Sequence, residues 1–165
     1  MPKSITFFSR GKTPIYVNYV IAHNTQRAAR LFHKKGVLFM EKVLFVALGG
    51  GIGAGLRYLL TELANLHGGA FFPYGTVLAN IIGSFCIGVF FVFFSESSNL
   101  PPVVKLFFVT GILGGFTTFS TYNMELLTFV RTGDLFPALA YFSFNVIGGF
   151  VCCWLGFATG NALWG

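Results

Sequence analysis

Charge is scarce in this chain. Only 10% of its 165 residues are Asp, Glu, Lys or Arg, against about 25% in an ordinary soluble domain, which excludes a surface built mainly to face water. Acids are the scarcest: Glu41, Glu62, Glu96, Glu125 and Asp134 are all there are, and none precedes residue 41. Carboxylates so dispersed form no general acid–base pair, and no nucleophile–base pair or metal-ligand set takes their place, so the sequence argues against an enzyme. Cysteine is limited to Cys86, Cys152 and Cys153, each inside an apolar stretch and without metal-ligand spacing. Neither a disulfide framework nor a zinc site follows, and the three read as small apolar packing residues.

What the chain has in quantity is apolar surface. Hydrophobic residues make up 55% of it, including 22 Phe, and a bilayer core about 30 Å thick is crossed by roughly 20 such residues in a helix. Apolar runs over about 43–63, 75–95, 102–131 and 136–161 predict four transmembrane helices, an all-α multi-pass membrane protein with no room for a soluble enzyme domain. The loops are short, so neighbouring helices run antiparallel. Glycines inside the spans, among them Gly49, Gly53, Gly83, Gly88 and Gly149, let membrane helices approach closely, which points to a compact bundle or a tight dimer.

Residues 1–39 are different in kind. They hold Lys3, Arg10, Lys12, Arg27, Arg30, Lys34 and Lys35 and no acid, while residues 40–165 hold four basic and five acidic side chains. The leader shows no sustained helical or strand period and is expected to be irregular or only conditionally helical. It contains no early apolar core of the kind a secretory signal needs, although its basic, acid-poor composition is shared with organelle transit peptides. Composition changes abruptly at Met40, which suggests a basic extension (1–39) upstream of an ordinary membrane-protein start (40–165). Nothing in the chain points to nucleic acid; the expected surroundings are lipid.

Orientation in a membrane follows the Lys/Arg content of short loops. After Met40, Lys42 and Lys105 fall on one side of the bundle and Arg57 and Arg131 on the other. A balance of two against two gives no electrostatic reason to prefer one insertion and predicts dual topology, with antiparallel pairing. The seven charges of the leader pull against that expectation, because they would hold the amino terminus in the cytoplasm.

The third span carries the chemistry. In Thr110-Gly111-Ile112-Leu113-Gly114-Gly115-Phe116-Thr117-Thr118-Phe119-Ser120-Thr121-Tyr122, the glycine pair followed by β-branched threonines disfavours continuous helix. A broken helix at membrane depth is tolerated where it is buried in protein or lines a cavity, and its freed carbonyls can hold a cation. On the fourth span Tyr141, Asn145 and Gly149 recur every four residues on one helical face. Glu125, an acid inside a span, is costly there and a functional candidate for that reason. Arg57 is placed either to snorkel to the interface or to act on an anion.

The run GxxGGxTTFST, with the glycine-rich segment Gly49 to Tyr58 and GTVLANIIGSF at Gly75 to Phe85, resembles the CrcB/Fluc family of small fluoride channels over Met40 to Gly165. The resemblance implies an antiparallel dual-topology homodimer in the plasma or inner membrane, carrying fluoride and holding a structural sodium ion on its axis. Gly114 and Thr117 would supply backbone carbonyls to sodium. The fluoride pathway would involve Asn80, Phe119, Tyr122, the hydroxyls of Thr118, Ser120 and Thr121, and Tyr141 and Asn145, with Arg57 as gate or vestibule and Glu125 beside it. A phenyl ring has a positive edge, which meets a dehydrated anion without a fixed charge. The chain departs from the family pattern at Tyr122, where phenylalanine is usual, and at Gly149, where serine is often found. Two other readings compete. A proton-coupled small multidrug transporter needs an acid in its first span, and none lies between Val43 and Leu60; a non-transporting scaffold needs no polar track.

Overall fold

The computed structural model describes residues 15–68, 71–97 and 99–165. The chain divides into two units, Met1–Glu41 and Lys42–Gly165. Helix α1 (Ile15–Gly68) contributes to both. Of the leader, expected to be irregular or only conditionally helical, residues 15–39 are helical, while residues 1–14 lie outside the described residues. No Gly or Pro interrupts the sequence between residues 15 and 35, and Gln26-Arg27-Ala28-Ala29-Arg30-Leu31 consists of strong helix formers.

Four helical stretches are long and apolar enough to cross a membrane: Gly36–Gly68, Tyr74–Glu96, Pro102–Thr132 and Leu135–Trp164. The four expected spans are present, and the first is longer at both ends than the sequence suggested. The second span is α2 (Tyr74–Glu96), entered directly after Pro73. The third opens with Pro102 at a first-turn position, where its missing N–H costs nothing. It is broken near its centre into α3 (residues 102–116) and α4 (Phe119–Thr132). Gly133 closes α4 in the left-handed conformation at φ 82°, which favours glycine at a helix end. The fourth span is α5 (Leu135–Trp164). Wide π-type turns occupy Leu106–Leu113 in α3 and Phe144–Gly148 in α5, and such turns frequently mark functional regions.

Glycine makes two seams. Where α1 meets α3, a Cβ on Gly49 would strike the Phe107 carbonyl at 2.5 Å, one on Gly53 would strike the Ile112 carbonyl, and one on Gly115 the Gly50 carbonyl. Where α2 meets α5, a Cβ on Gly88 would collide with the Cys153 carbonyl and one on Gly156 with the Phe85 carbonyl. Backbone cannot yield as a flexible side chain does. Replacing Gly88 or Gly156 by Val is therefore expected to cost more than the ordinary ~1–3 kcal/mol of overpacking, and the monodisperse fraction after detergent extraction should fall sharply.

Between α2, α4 and α5 lies a small core of Val77, Tyr122, Phe129, Ala138 and fully buried Tyr141. Many large apolar side chains elsewhere face outward, Phe136 at 82% and Leu66 at 78% exposure, a distribution suited to lipid and not to water.

Candidate functional site

The third span breaks at Thr117 and Thr118. Thr117 is extended (φ −80°, ψ 157°), as is Thr118 (φ −150°, ψ 121°). The break thus falls in the threonine half of the glycine–threonine run, the glycines remain helical through Phe116, and the break is held by a residue on another span. Asn80 of α2 accepts the Thr118 N–H on Oδ1 at 2.8 Å and donates from Nδ2 to the Thr118 carbonyl at 3.1 Å. One amide side chain thus satisfies both backbone polar groups of Thr118, groups that would cost about 1–3 kcal/mol each if buried without a partner. The second Nδ2 hydrogen goes to Asn145 Oδ1 at 2.8 Å, and Asn145 Nδ2 donates to the Tyr141 carbonyl at 2.9 Å.

Beyond the break the chain restarts as a capped helix. Thr118 Oγ1 accepts the Thr121 N–H at 3.2 Å and donates to Thr121 Oγ1 at 2.9 Å, with Ser120 Oγ 3.5 Å away. A threonine cap of this kind contributes about 1 kcal/mol. Gly83, on the α2 face toward the break, leaves room for the Thr117 methyl group, which a Cβ at position 83 would strike.

The polar groups of α2 and α5 form a ladder. Its first rung is the Glu125 carboxylate of α4, which accepts from Thr76 Oγ1 at 3.2 Å and from the Tyr141 hydroxyl. Asn80 with Asn145 makes the second. The third pairs Ser84 with Gly149, whose missing side chain would begin 3.4 Å from Ser84 Oγ. Thr76 and Ser84 were not among the residues expected from sequence, yet both stand one turn from Asn80 on the same face of α2. The Ser84 hydroxyl makes no hydrogen bond to another described residue, so it is free to donate.

A cavity of about 370 Å³ opens along this ladder, lined by Asn80, Ser84, Gly114, Thr117, Thr118, Phe119, Tyr122 and Asn145 among others. The Phe119 ring lies 5.5 Å from Tyr122 and the Tyr122 ring 5.5 Å from Tyr141. Tyr122 is buried, whereas Phe119 is 73% exposed in the single chain. Arg57 is not part of this cluster. Its Nε donates to the Gly115 carbonyl at 3.3 Å, so it braces α3 from the side of α1. Glu125, Thr76 and Phe129 help to line a second cavity of about 380 Å³.

Two backbone carbonyls at the break suit a hard cation. Thr118 N–H, the regular helical partner of the Gly114 carbonyl, is committed to Asn80, and the Thr117 carbonyl belongs to an extended residue. Gly114 is exposed and Thr117 partly so, and oxygen donors of this type replace a cation's hydration shell.

Four apolar spans around a hydrogen-bonded polar ladder and a broken helix define a polytopic membrane protein of the channel and carrier class. The family model described as "CrcB-like protein, Camphor Resistance (CrcB)" matches residues 44–157, and the chain belongs to the CrcB family. A protein of Aquifex aeolicus named "Fluoride-specific ion channel FluC" is 42% identical over 125 residues, covering 75% of this chain and 100% of its own length. The protein of that name from Flavobacterium psychrophilum is 36% identical over 124 residues, with coverages of 75% and 100%. That from Shewanella halifaxensis is 47% identical over 107 residues, covering 65% of this chain and 86% of its own length.

Proposed function

We propose that the chain is a passive fluoride channel of the plasma membrane, working as an antiparallel homodimer around a sodium ion. The observation that carries this reading is the Asn80 clamp on Thr118. It opens the third span beside hydroxyl donors and aromatic rings, with no lysine or arginine along the cavity they line. A small dehydrated anion can be met there by the hydroxyl of Ser84 and the positive edges of Phe119 and Tyr122, and beside the cavity by the hydroxyls of Ser120 and Thr121. None of these carries a fixed charge, so the anion can also leave, as conduction requires. The relatives named as fluoride-specific channels support fluoride as that anion.

The homodimer is supported by what a single chain leaves open. Two carbonyls, of Gly114 and Thr117, make an incomplete cation shell, and a second copy supplies two more. Phe119, so largely exposed in one chain, would be covered by a partner. Flux needs no nucleotide or proton coupling, and the channel lets fluoride that entered as the neutral acid leave down its gradient. The multidrug-carrier alternative needs an acid deep in the first span, whereas Glu41 and Glu62 lie near its two ends, and a scaffold gains nothing from the ladder.

The test is efflux from liposomes loaded with fluoride or chloride and reconstituted with detergent-solubilised chains, which are free to pair in either orientation; efflux is started by a potassium ionophore and read with anion-selective electrodes. Fluoride should empty rapidly while chloride is retained. Release of neither anion by a folded, dimeric protein, with Tyr122→Phe equally silent, would refute the assignment.

A further inference from the structure

Arg57 holds a carbonyl at the break in the third span, and the channel reading leaves that contact unused. A helix leaves its last carbonyls without regular partners, and α3 ends at Phe116. The Leu113 carbonyl accepts from the Thr117 N–H and from Thr117 Oγ1, each at 3.0 Å. Gly115 would ordinarily accept from the Phe119 N–H, which lies beyond the two extended threonines. Its carbonyl accepts instead from Arg57 Nε at 3.3 Å. The carbonyls on both sides of Gly114 are thus occupied, while that of Gly114 has lost the Thr118 N–H to Asn80. The glycine seam makes this reach possible. Gly49, Gly53 and Arg57 follow at intervals of four along one face of α1, and Gly115 is pressed so closely on that helix that a Cβ would strike the Gly50 carbonyl.

We propose that Arg57 is a positioning residue for the cation site: by holding the Gly115 carbonyl it keeps that oxygen out of the shell offered by Gly114 and Thr117, and so sets the size of cation accepted. This inference rests on the sodium site of the proposed function. The charge of Arg57 does not account for its place, because a guanidinium beside a cation site repels the cation. The hydrogen bond does. Carbonyls at a helix C-terminus point outward along the axis, so a Gly115 oxygen without its donor is free to tilt toward the ion. Each copy would then offer the oxygens of Gly114, Gly115 and Thr117. Selectivity among cations follows ligand number and flexibility, and the larger, looser shell admits potassium.

Thermal unfolding of the dimer in detergent, in sodium, potassium or choline chloride at one ionic strength, reads cation binding without measuring flux. Sodium should stabilise the wild type at about a tenth of the potassium concentration, the factor that one backbone hydrogen bond is worth. Arg57→Gln places an amide nitrogen where Nε stood and removes the charge; it should keep the preference while lowering the concentration needed of either cation. Arg57→Met removes donor and charge at similar length and should abolish the preference. Arg57→Lys keeps the charge with a methylene at the ε position, and it should abolish the preference too, which preserves the test where Arg57→Met does not assemble. Unfolding in choline reports the structural cost of each variant separately. A sodium preference that survives in Arg57→Lys or Arg57→Met would overturn the proposal, as would its loss in Arg57→Gln. A wild type stabilised by neither cation would remove the sodium site and this role with it, a result read before any variant is made.

Discussion

Asn80→Asp is expected to abolish fluoride efflux while leaving a folded protein. The substituted carboxylate can still accept the Thr118 N–H, but the Nδ2 donor to Thr118 O and Asn145 Oδ1 is gone. Two acceptors, the Thr118 carbonyl and the Asn145 amide oxygen, are then set against a negative charge. An anion passing within about 4 Å of that charge meets about 4 kcal/mol of repulsion at an effective dielectric constant of 20. That is roughly a thousandfold loss of flux. The uncharged Asn80→Leu separates the two roles of the residue. It removes the clamp without adding charge, leaving both polar groups of Thr118 without their Asn80 partner, and its cost should appear in stability as well as flux. Efflux rates and thermal unfolding in detergent, measured on both variants, distinguish these outcomes. Normal fluoride flux through Asn80→Asp would remove position 80 from the pathway.

The architecture was legible in the sequence to the extent that it depends on local composition. Four apolar runs of bilayer length give four spans, and Pro102 and Gly133 stand where the third begins and ends. That the third span breaks was also readable, because glycine and β-branched threonine lie side by side. The residue at which it breaks was not. Gly114 and Gly115 stay helical because Gly115 is used for close contact with the Gly50 carbonyl. The break falls instead where Asn80, 38 residues away in sequence, can take over the Thr118 hydrogen bonds. Contacts at that separation leave no periodic signature. The π-type turns at Leu106–Leu113 and Phe144–Gly148 are invisible too, because their residues are those of an ordinary apolar helix. Thr76 and Ser84 are a different case. Their spacing of four residues on either side of Asn80 marks a polar stripe on an otherwise apolar helix, and that pattern was available to be read.

Arg57 shows how the structure alters an argument made from charge alone. Counted as a loop residue, it balances Lys42 and Lys105 together with Arg131. Its Nε, however, donates to the Gly115 carbonyl within the bundle, which takes it out of the loop count. Two basic residues then face one. That excess remains too small to fix an orientation, and the deciding charge lies in residues 1–39.

The full chain is therefore expected to insert in one orientation, with its amino terminus in the cytoplasm, and a variant beginning at Met40 to insert in both. Each Lys or Arg near an anionic membrane surface is worth about 1 kcal/mol. Three of the seven leader charges thus bias the two orientations by about a hundredfold, whereas the residual charges after Met40 nearly cancel. Four spans place both termini on one side, so a carboxy-terminal reporter that is active on only one face of the membrane reads the outcome directly. The full chain should give signal on the cytoplasmic face alone, and the Met40 variant on both. The proposed antiparallel homodimer adds a functional consequence. Full-length chains alone would lack copies of the opposite orientation, so efflux from cells making only the full chain should be far below that from cells that also make the Met40 variant. Equal reporter signals from the two forms would show that the leader does not set topology. Equal efflux from cells with a uniformly oriented full chain would show that the working assembly is not antiparallel.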